Sequence, residues 1–471
     1  LFEAIVLQNL SVLARGHALL PRVLLLGGPN TFFPGLQVAW RKGLLELWKR
    51  RNDTLPSYAS VEELITVPPM SEYFAAIGAI EFGAMDTSAT VAYQGTEALQ
   101  AFIRNGATSP DNQQETARLY QTANELEDFR RRYSVPAPSL YKTACASVPV
   151  YLGLDGGSTS TKAVALSSGE ELIASAYRLS QSDPISDAIA ILKELRGKIE
   201  RSGARADVRG LGVTGYSKDL LRKVLSADVA LVETVAHAKS SLQLYPDVNA
   251  IIDVGGQDIK IIMLRDGAVQ DFKLNTQCSA GNGYFLQAAA EGLGIPIERF
   301  ADTAFHARRM PQFSYGCAVF LQADIVNFQR QGWKPEEILA GLASVLPKNI
   351  FFYVAGVSNV ATLGQRFVLQ GGTQRNLAVV KAEVDFIRQH YHGDGEPEVA
   401  VHPNCCEAGA IGAALEAIER VRANHQTTFP GFASLDRLQY QITRDESTRC
   451  RYCTNHCLRT FVEMVDDGSS R

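Results

Sequence analysis

The sequence lacks several features that would place it in a specialised class. Its 471 residues include only 8 cysteines, too few for a disulfide-stapled secreted scaffold. Neither sign of charge is in excess, because 46 Lys and Arg oppose 50 Asp and Glu, so nothing global favours nucleic acid or a membrane surface. No unbroken apolar run of about 18 residues and no basic-then-apolar leader is found. We therefore expect a cytoplasmic chain with reduced cysteines.

What the sequence does contain is enough apolar material for several folded cores. With 46% hydrophobic and 20% charged residues, it is neither disordered nor collagen-like, and its length corresponds to about three domains. Between residues 147 and 420, apolar runs of strand length alternate with stretches of helical periodicity, which predicts an α/β architecture. The first residues have helical character and no Met, so we expect a piece of a longer protein.

An internal repeat relates the N-terminal region to the end of this α/β region. Residues 23–28 (VLLLGG) resemble residues 367–372 (FVLQGG), and a helix is predicted before each. Residues 67–79 and 401–413 then share a Val-x-Pro start and an Ile-Gly-Ala end at the same spacing. Residues 1–90 are therefore interpreted as the C-terminal half of a degenerate second copy.

The repeat and the changes in composition predict four regions. The half-copy of residues 1–90 is followed by a helical linker, residues 91–146, which contains the Pro-rich stretch 135–139. Residues 147–420 form the complete α/β domain. Residues 421–471 are more polar and less periodic, and they are predicted to be a C-terminal arm with a cysteine cluster.

A glycine-rich turn between two predicted strands is the first candidate for chemistry. Residues 155–162 read DGGSTSTK. Glycines let the backbone approach an anion closely, and hydroxyl groups and turn amides donate hydrogen bonds to phosphate oxygens. An acidic residue at the end of the first strand can hold Mg²⁺, usually through water. A Gly-rich hairpin needs no ligand, so this turn alone does not establish a phosphate-binding site. The residues predicted to bind phosphate are Gly156, Gly157, Ser158, Thr159 and Lys162.

Two further segments make the pattern more specific. Residues 251–260 (IIDVGGQDIK) repeat the order strand, acidic residue, glycine pair and strand, so two hairpins would clamp a polyphosphate between them. Residues 369–376 (LQGGTQRN) run from a strand through two glycines into a helix, where a nucleoside can lie against flat backbone. The predicted catalytic residues are Asp155 and Asp253, which orient metal and water, and Gln257 near the γ-phosphate. The other predicted nucleotide contacts are Gly255, Gly256, Gly371, Gly372, Gln374 and Asn376.

The three segments resemble the two phosphate motifs and the adenosine motif of the actin, sugar-kinase and heat-shock ATPase superfold. Between them, residues 213–217 (VTGYS), 233–238 (ETVAHA) and 278–286 (CSAGNGYFL) are similar to the activators of 2-hydroxyacyl-CoA dehydratases. That family also contains the ATPase subunits of benzoyl-CoA reductase. The resemblance covers residues 149–418 closely, and the whole sequence looks like part of a long, fused family member. It implies two RNase H-like halves around a nucleotide cleft, preceded by a partial second copy.

The resemblance also implies an activity, cofactors and partners. Family members hydrolyse ATP with Mg²⁺ to drive an electron uphill, and they share one [4Fe-4S] cluster across a homodimer. The matching ligands are Cys278 and Cys317, each before an amphipathic helix whose amide end would favour the anionic cluster. The implied partners are an acyl-CoA dehydratase or reductase and, as donor, reduced ferredoxin or flavodoxin, through a homodimer or pseudo-dimer. Neither nucleic acid nor a membrane is expected.

The remaining cysteines fall into two settings. Cys450, Cys453 and Cys457 form a C-x₂-C-x₃-C cluster, whose spacing suits zinc or an iron-sulfur site but supplies only three thiolates. Cys405 and Cys406 stand where the family pattern has other residues. We expect them to be packed near the nucleotide cleft rather than to bind metal.

Two other functions stay open from the sequence alone. A sugar or amino-sugar kinase of the same superfold would need a catalytic Asp and a polar sugar pocket, and it would leave the cysteine pair idle. A nucleotide-sensing scaffold would bind ATP without turning it over. The half-copy has no phosphate hairpin of its own, so we expect no ATP there.

Overall fold

The computed structural model describes residues 2–13, 20–51, 60–85, 95–97, 100, 118–135, 146–201, 203–275, 282–424, 426–452, 457–466 and 469–470. They belong to two units, Leu1–Asn112 and Gln113–Arg471. The helices are α1 (Phe2–Leu13), α2 (Gly28–Phe32), α3 (Pro34–Arg51), α4 (Val61–Leu64), α5 (Phe74–Met85), α6 (Ala123–Tyr133), α7 (Pro184–Glu200), α8 (Lys218–Leu225), α9 (Glu233–Leu244), α10 (Gly283–Gly292), α11 (Phe300–Phe305), α12 (Ala318–Arg330), α13 (Pro335–Lys348), α14 (Leu377–Gln389) and α15 (Ala408–Asn424).

The strands of both units are given in chain order, and over most of the C-terminal unit they alternate with these helices. They are β1 (Val23–Leu24), β2 (Ile65–Thr66), β3 (Ser147–Gly156), β4 (Ser160–Leu166), β5 (Leu172–Leu179), β6 (Arg205–Thr214), β7 (Val229–Ala230), β8 (Ala250–Val254), β9 (Ile259–Arg265), β10 (Ala268–Asn275), β11 (Arg366–Gln370), β12 (Glu398–Val401), β13 (Gln439–Thr443), β14 (Phe461–Asp466) and β15 (Ser469–Ser470). The predicted α/β architecture of this region is therefore confirmed.

The N-terminal unit contains one short parallel pair of strands. β1 and β2 pair with Val23 opposite Ile65, and Leu44 and Trp48 of α3 are buried in the same apolar cluster. After β1 the chain turns at Gly27, whose φ of 91° and ψ of 160° belong to a region that glycine alone adopts readily. The N–H of Gly27 donates to the carbonyl of Ser71 at 3.1 Å, which fixes the turn before α5 beside the end of β1.

The C-terminal unit contains two five-stranded sheets with the same plan. One has the strand order β5-β4-β3-β6-β7 and the other β10-β9-β8-β11-β12. In each, three strands joined by hairpins pair antiparallel, and two later strands add in parallel. Each sheet therefore has the RNase H-like plan, and the pair makes the actin/hexokinase-like fold. In each sheet, one hairpin turn, after β3 or after β8, carries a predicted phosphate-binding segment.

Helix α15 packs closely against the first sheet because the strands carry glycine where the two backbones meet. An added Cβ at Gly153 would lie 1.9 Å from the carbonyl oxygen of Ala410, and one at Gly212 would lie 2.0 Å from that of Ala413. From the helix side, Gly412 approaches Ala236 of α9 equally closely. Backbones in contact leave no room for side chains, so these glycines fix the position of α15.

The longest apolar helix, α13, lies in the C-terminal unit, in the same apolar core as strands β8, β9 and β11. α13 continues through a π-helical end, Asn349–Ala355, and by length and composition alone the 21-residue stretch Pro335–Ala355 could cross a membrane. However, 67% of the most apolar 18 residues in this stretch is buried within the C-terminal unit. Burial of this kind is typical of the core helix of a folded domain.

Parts of the predicted linker and arm pack onto the C-terminal unit. Within the linker, α6 begins after its cap Thr122, and its residues Phe129 and Tyr133 are buried in the main core. Within the arm, Phe429 and Phe432 are buried against the first sheet, and β13, β14 and β15 form a small antiparallel sheet beyond them. The division into four regions, as predicted from the sequence, stays a prediction.

Candidate functional site

The two predicted phosphate hairpins have the same acid-and-lysine arrangement. Asp155 at the end of β3 lies opposite Lys162 of β4, with Lys162 Nζ 3.2 Å from Asp155 Oδ2. Asp253 at the end of β8 lies opposite Lys260 of β9, with Lys260 Nζ 3.3 Å from Asp253 Oδ2. Both carboxylates are buried. Each hairpin thus offers a carboxylate for a cation and an ammonium group for an anion.

The tips of the two hairpins contact each other. The hydroxyl of Ser158 donates to Gln257 Oε1 at 2.8 Å. A Cβ added at Gly256 would lie 3.2 Å from the Thr159 methyl group. The structure therefore brings together residues that are almost one hundred positions apart in the sequence. Gln257 is exposed at this junction.

Helix α9 supplies two residues to this centre that the sequence analysis did not assign. Glu233 Oε1 lies 3.0 Å from Lys260 Nζ, and His237 Nε2 lies 3.7 Å from Asp253 Oδ2. The other ring nitrogen, His237 Nδ1, donates to Gln370 Oε1 at 2.7 Å and so fixes the orientation of the imidazole. Both residues belong to residues 233–238 (ETVAHA), which carry part of the family resemblance. An acidic residue and a histidine four positions apart lie on the same face of a helix, and this spacing is the sequence signal from which the pair could be predicted.

The charges in this centre determine the protonation of its members. Burial alone would lower the pKa of His237, but the carboxylates of Asp253 and Glu233 raise it to about 9, so the imidazole is charged at neutral pH. Burial would raise the pKa of Glu233, but hydrogen bonding to His237 and the charge of Lys260 lower it instead. Burial raises the pKa of Asp258, whose carboxylate lies 2.8 Å from Lys260 Nζ. The centre therefore combines several carboxylates with fixed cationic partners.

The donor set fits a hard divalent cation such as Mg²⁺. Carboxylate oxygens are the protein ligands that Mg²⁺ prefers, and it usually keeps several waters. Asp155 Oδ1 is buried and, among the described residues, has no hydrogen-bond partner. The ligand atoms of Glu233, His237 and Asp253 all lie within 4.8 Å of one another, but a protonated His237 donates rather than binds metal. The carboxylate oxygens of Asp155, Asp253 and Glu233 are the oxygen donors that this part of the structure offers to a cation.

The predicted adenosine segment lies beside the second hairpin. Gly371 has a φ of 92° and ψ of 160°, and a Cβ there would lie 2.2 Å from the carbonyl oxygen of Val254. Thr373 donates to the carbonyl of Gly255 at 3.5 Å. The start of α10 also contacts the hairpin, because the N–H groups of Gly283 and Tyr284 donate to the carbonyls of Gly255 and Gly256. Gly372 next to Gly371 is exposed, so its backbone faces open space.

Two predicted nucleotide contacts have different surroundings from those expected. The side chain of Gln374 is fully enclosed, and its amide donates to both carboxyl oxygens of Glu383 at 3.1 and 3.0 Å. Gln374 Oε1, in contrast, is buried and has no partner among the described residues, so its contact with the nucleotide stays a prediction. Asn376 Oδ1 caps α14 by accepting from Ala378 N–H, and its buried Nδ2 has no partner among the described residues. Asn376 thus combines a structural role with one donor left for a ligand.

The structure describes one of the two predicted cluster ligands. Cys317 is exposed and is the N-cap residue of α12, and Val319 and Phe320 of that helix are exposed beside it. Cys278 lies outside the described residues, so the prediction that the two sulfurs converge stays a prediction. In the C-terminal cluster, Cys450 and Cys457 are joined by a backbone hydrogen bond of 2.8 Å, and Cys453 also lies outside the described residues.

The fold and this centre define an ATPase of the actin/hexokinase-like class: two RNase H-like halves whose acidic hairpins face each other. Comparison with known proteins identifies the family. The BadF/BadG/BcrA/BcrD ATPase family matches residues 152–417, more than half of the chain, and the protein belongs to it.

Three known proteins illustrate the similarity. The chain is 28% identical over 276 residues to a 2-hydroxyisocaproyl-CoA dehydratase activator of Clostridioides difficile, covering 58% of this chain and 97% of the relative. It is 28% identical over 272 residues to the (R)-2-hydroxyglutaryl-CoA dehydratase activating ATPase of Acidaminococcus fermentans, covering 57% and 97%. A solved Clostridium difficile activator with bound ADPNP superposes with a TM-score of 0.51 at 28% identity, covering 59% of this chain and 97% of that one.

Proposed function

We propose that the protein hydrolyses ATP in order to activate an acyl-CoA dehydratase or reductase, to which it delivers a low-potential electron. The observation that carries the ATPase part is the pair of facing hairpins, each with a buried carboxylate and an opposing lysine. The activator part rests on the relatives, which are named as activators of CoA-ester dehydratases. We place this activity in the cytoplasm, with neither nucleic acid nor a membrane as a partner.

The residues of the two hairpins would have separate roles in ATP hydrolysis. Asp155 and Asp253 would hold Mg²⁺, which neutralises charge on the transferred phosphoryl group. Lys162 and Lys260 pair with these carboxylates and would add positive charge near the phosphates. Gly156, Gly157, Ser158, Thr159, Gly255 and Gly256 would grip the phosphates through backbone amides and hydroxyls. Gln257, at the junction of the hairpins, would orient the attacking water.

The electron-transfer part rests on Cys278 and Cys317. These two thiolates would hold half of a [4Fe-4S] cluster, whose chemistry is one-electron transfer, and a second copy or a pseudo-equivalent domain would supply the other half. Cys317 is suitably placed, because it is exposed at a helix N-terminus that carries partial positive charge. Reduced ferredoxin or flavodoxin would be the donor. Cys450, Cys453 and Cys457 would form a separate metal site in the same chain.

Replacing the hairpin carboxylates tests the ATPase assignment. Loss of a charge-assisted contact costs roughly 1.5–3 kcal/mol, so Asp155→Asn and Asp253→Asn should each lower ATP turnover by about tenfold or more. The matched control is Asp271→Asn on the exposed strand β10, which should retain full turnover. Steady-state phosphate release under anaerobic conditions gives the rates. Equal rates in all four proteins would refute the site.

A second experiment separates an activator from a kinase. Protein purified without oxygen should contain iron and sulfide, and replacing Cys317 by Ser should remove both while leaving nucleotide binding intact. A sugar kinase would instead transfer phosphate to glucose or N-acetylglucosamine and would carry no iron. Phosphorylated sugar in an iron-free preparation would therefore replace the activator function by that of a kinase.

A further inference from the structure

His237 of α9 is buried, and each of its two ring nitrogens faces an oxygen acceptor. Nδ1 lies 2.7 Å from Gln370 Oε1, and Nε2 lies 3.7 Å from both Glu233 Oε1 and Asp253 Oδ2. A neutral imidazole has one N–H and one lone pair, so it could not offer a proton in both directions. The surroundings of His237 therefore match a doubly protonated ring with a positive charge.

The side chain of Gln370 holds this ring in place from strand β11. Gln370 is fully enclosed, and its Oε1 accepts from His237 while its amide donates to Ser241 Oγ. The same amide also donates to the carbonyl of His237 at 3.4 Å. In the sheet, Gln370 lies opposite Asp253 in the register of β11 and β8. The position of the imidazole is therefore fixed to the strand that neighbours the acidic end of β8.

The internal repeat shows that the strand itself does not require glutamine at this position. Aligning residues 23–28 with 367–372 puts Leu26 at the position of Gln370. Leu26 is 42% exposed, whereas Gln370 is fully enclosed. Burying an amide is costly unless its hydrogen bonds are made. The buried glutamine of the complete copy is therefore best explained by the imidazole that it holds.

The acidic centre has more negative than positive side chains, and His237 offsets part of this excess. Besides His237, four carboxylates and two ammonium groups make up its ion pairs: Asp155, Glu233, Asp253, Asp258, Lys162 and Lys260. The excess of two negative charges among these six falls to one when the charged ring of His237 is included. A Cβ built on Gly409 of α15 would lie 3.2 Å from His237 Nε2 and 3.3 Å from Asp155 Oδ2. The ring therefore borders the acidic ends of both hairpins.

We propose that His237 is a fixed counter-ion that keeps the acidic centre from binding a free divalent cation, and that Gln370 is the positioning residue that holds it there. Mg²⁺ would then enter the centre only together with a nucleotide. The positive ring repels a second cation from the carboxylate of Asp253, whereas the phosphates of a nucleotide bring negative charge that restores the attraction. The link to the nucleotide rests on the proposed function, but the effect of His237 on a metal alone does not.

Titration of the full, nucleotide-free chain with Mn²⁺ measures the counter-ion effect directly. Mn²⁺ binds the same oxygen ligands as Mg²⁺, and electron paramagnetic resonance gives its free concentration. His237→Asn keeps an N–H that faces Gln370 but removes the charge, so it should bind Mn²⁺ about tenfold or more tightly than wild type. His237→Gln should change the affinity in the same direction. Damage to the fold would weaken binding instead, so unchanged or weaker binding by the folded variants overturns the proposal.

Two controls assign the gained affinity to this centre. Adding Asp253→Asn to His237→Asn should abolish the gain, because the carboxylate that the ring faces is then missing. The matched control is His402→Asn. His402 is equally buried and contacts Ser240 of the same helix at 3.1 Å, but among the described residues it pairs with no carboxylate. His402→Asn should therefore bind Mn²⁺ like wild type. A gain that survives the loss of Asp253, or that His402→Asn shares, overturns the proposal.

Replacing Gln370 by the leucine of the half-copy tests its positioning role. Gln370→Leu releases the ring, so it should bind Mn²⁺ more tightly than wild type, by a smaller factor than His237→Asn does. In the His237→Asn background the same replacement should add nothing, because Gln370 acts through His237. A purely structural role of Gln370 would lower stability in both backgrounds without this dependence. Gains that multiply in the double variant would overturn the positioning role.

Wild type alone tests the dependence of the metal on the nucleotide. ADPNP should raise its affinity for Mn²⁺ by about tenfold or more, and His237→Asn should show a smaller increase. Tight binding of Mn²⁺ by the nucleotide-free wild type, abolished by Asp253→Asn, would overturn the proposal without any variant of His237. A chain that binds no ADPNP with Mg²⁺ refutes the proposed function instead, while the titrations with Mn²⁺ alone still decide the role of His237.

Discussion

Helices α5 and α15 contain the equivalent Ile-Gly-Ala of the similar segments 67–79 and 401–413, yet their surroundings are opposite. From its start at Ala408 to Leu415, α15 is buried throughout. In α5, Ile80 is 72% and Phe82 is 73% exposed, and no residue of the helix is buried. The sequence of α5 is in fact the more apolar of the two, since Glu81 is its one charged residue, so hydrophobicity does not explain the difference. The difference is that the C-terminal unit contains the first five-stranded sheet, and α15 packs against it.

The comparison separates what is encoded locally from what needs the rest of the fold. Gly27 and Gly371 adopt nearly the same backbone angles, and each donates to the carbonyl of the turn before the next helix. These features recur because a few neighbouring residues suffice for them. Burial of the helix does not recur, because it requires the backbones of Gly153 and Gly212 as a packing surface. An apolar helical pattern thus specifies a core helix only where that surface is present.

The largest expected effect contrasts the equivalent glycines of the two helices. A Cβ at Gly412 would lie 1.9 Å from the carbonyl oxygen of Ala236, so Gly412→Ala should destabilise the C-terminal unit by about 3 kcal/mol or more. A Cβ at Gly78 meets none of the described atoms within 4 Å, so Gly78→Ala should stabilise α5 by ~0.5–1 kcal/mol. Native-state hydrogen exchange reports the two units separately. Effects of equal sign and size would contradict the comparison.

The second effect concerns a buried carboxyl group, Glu383, which lies near the predicted adenosine segment of the C-terminal unit. Burial raises the pKa of Glu383 to about 8, above its ordinary value of 4.5, despite the hydrogen bond from Gln374. Because the folded state holds the proton more tightly, stability is fully present below pH 4.5 and is lost as the pH rises through 8.

Replacing Glu383 by Gln tests this pH dependence. Glu383→Gln keeps the shape and an acceptor for Gln374, so it should flatten the decline. Between pH 6 and 7 it should stabilise the unit by roughly 2–3 kcal/mol, because each pH unit above 4.5 costs about 1.4 kcal/mol. Urea unfolding of both proteins between pH 5 and 8 gives the comparison. Parallel pH profiles would show that Glu383 does not hold the proton.

The smallest effect concerns the turn at Gly27 in the N-terminal unit. It tests whether this turn is as constrained as the backbone angles of Gly27 indicate. Gly27→Ala places a Cβ in a backbone region that is open almost only to glycine, which should cost about 1–2 kcal/mol. The matched control is Gly28→Ala, where the Cβ makes an ordinary 3.7 Å contact with the ring of Phe32. Hydrogen exchange of residues 60–73 should be faster in the first variant only. No difference between them would mean that this turn does not stabilise the unit.

The sequence predicted those parts of the site that are contiguous in the chain. The hairpins around Asp155 and Asp253 could be recognised because an acidic residue, a glycine pair and two flanking strands are consecutive. Glu233 and His237 were not assigned, because they reach the centre from a helix whose position depends on both sheets. Gln374 was expected at the nucleotide, but its partner Glu383 lies more than two helical turns away and encloses it. Tertiary burial of this kind leaves no local signal.

The most direct test of the central claim is the stoichiometry of nucleotide binding. Only the C-terminal unit contains the facing acidic hairpins among the described residues, although both units contain the strand–Gly–Gly turn. Calorimetric titration of the full chain with ADPNP and Mg²⁺ should therefore give one site per chain, which Asp155→Asn weakens and Gly27→Ala leaves unchanged. Two sites per chain, or one site that Asp155→Asn does not affect, would contradict the account.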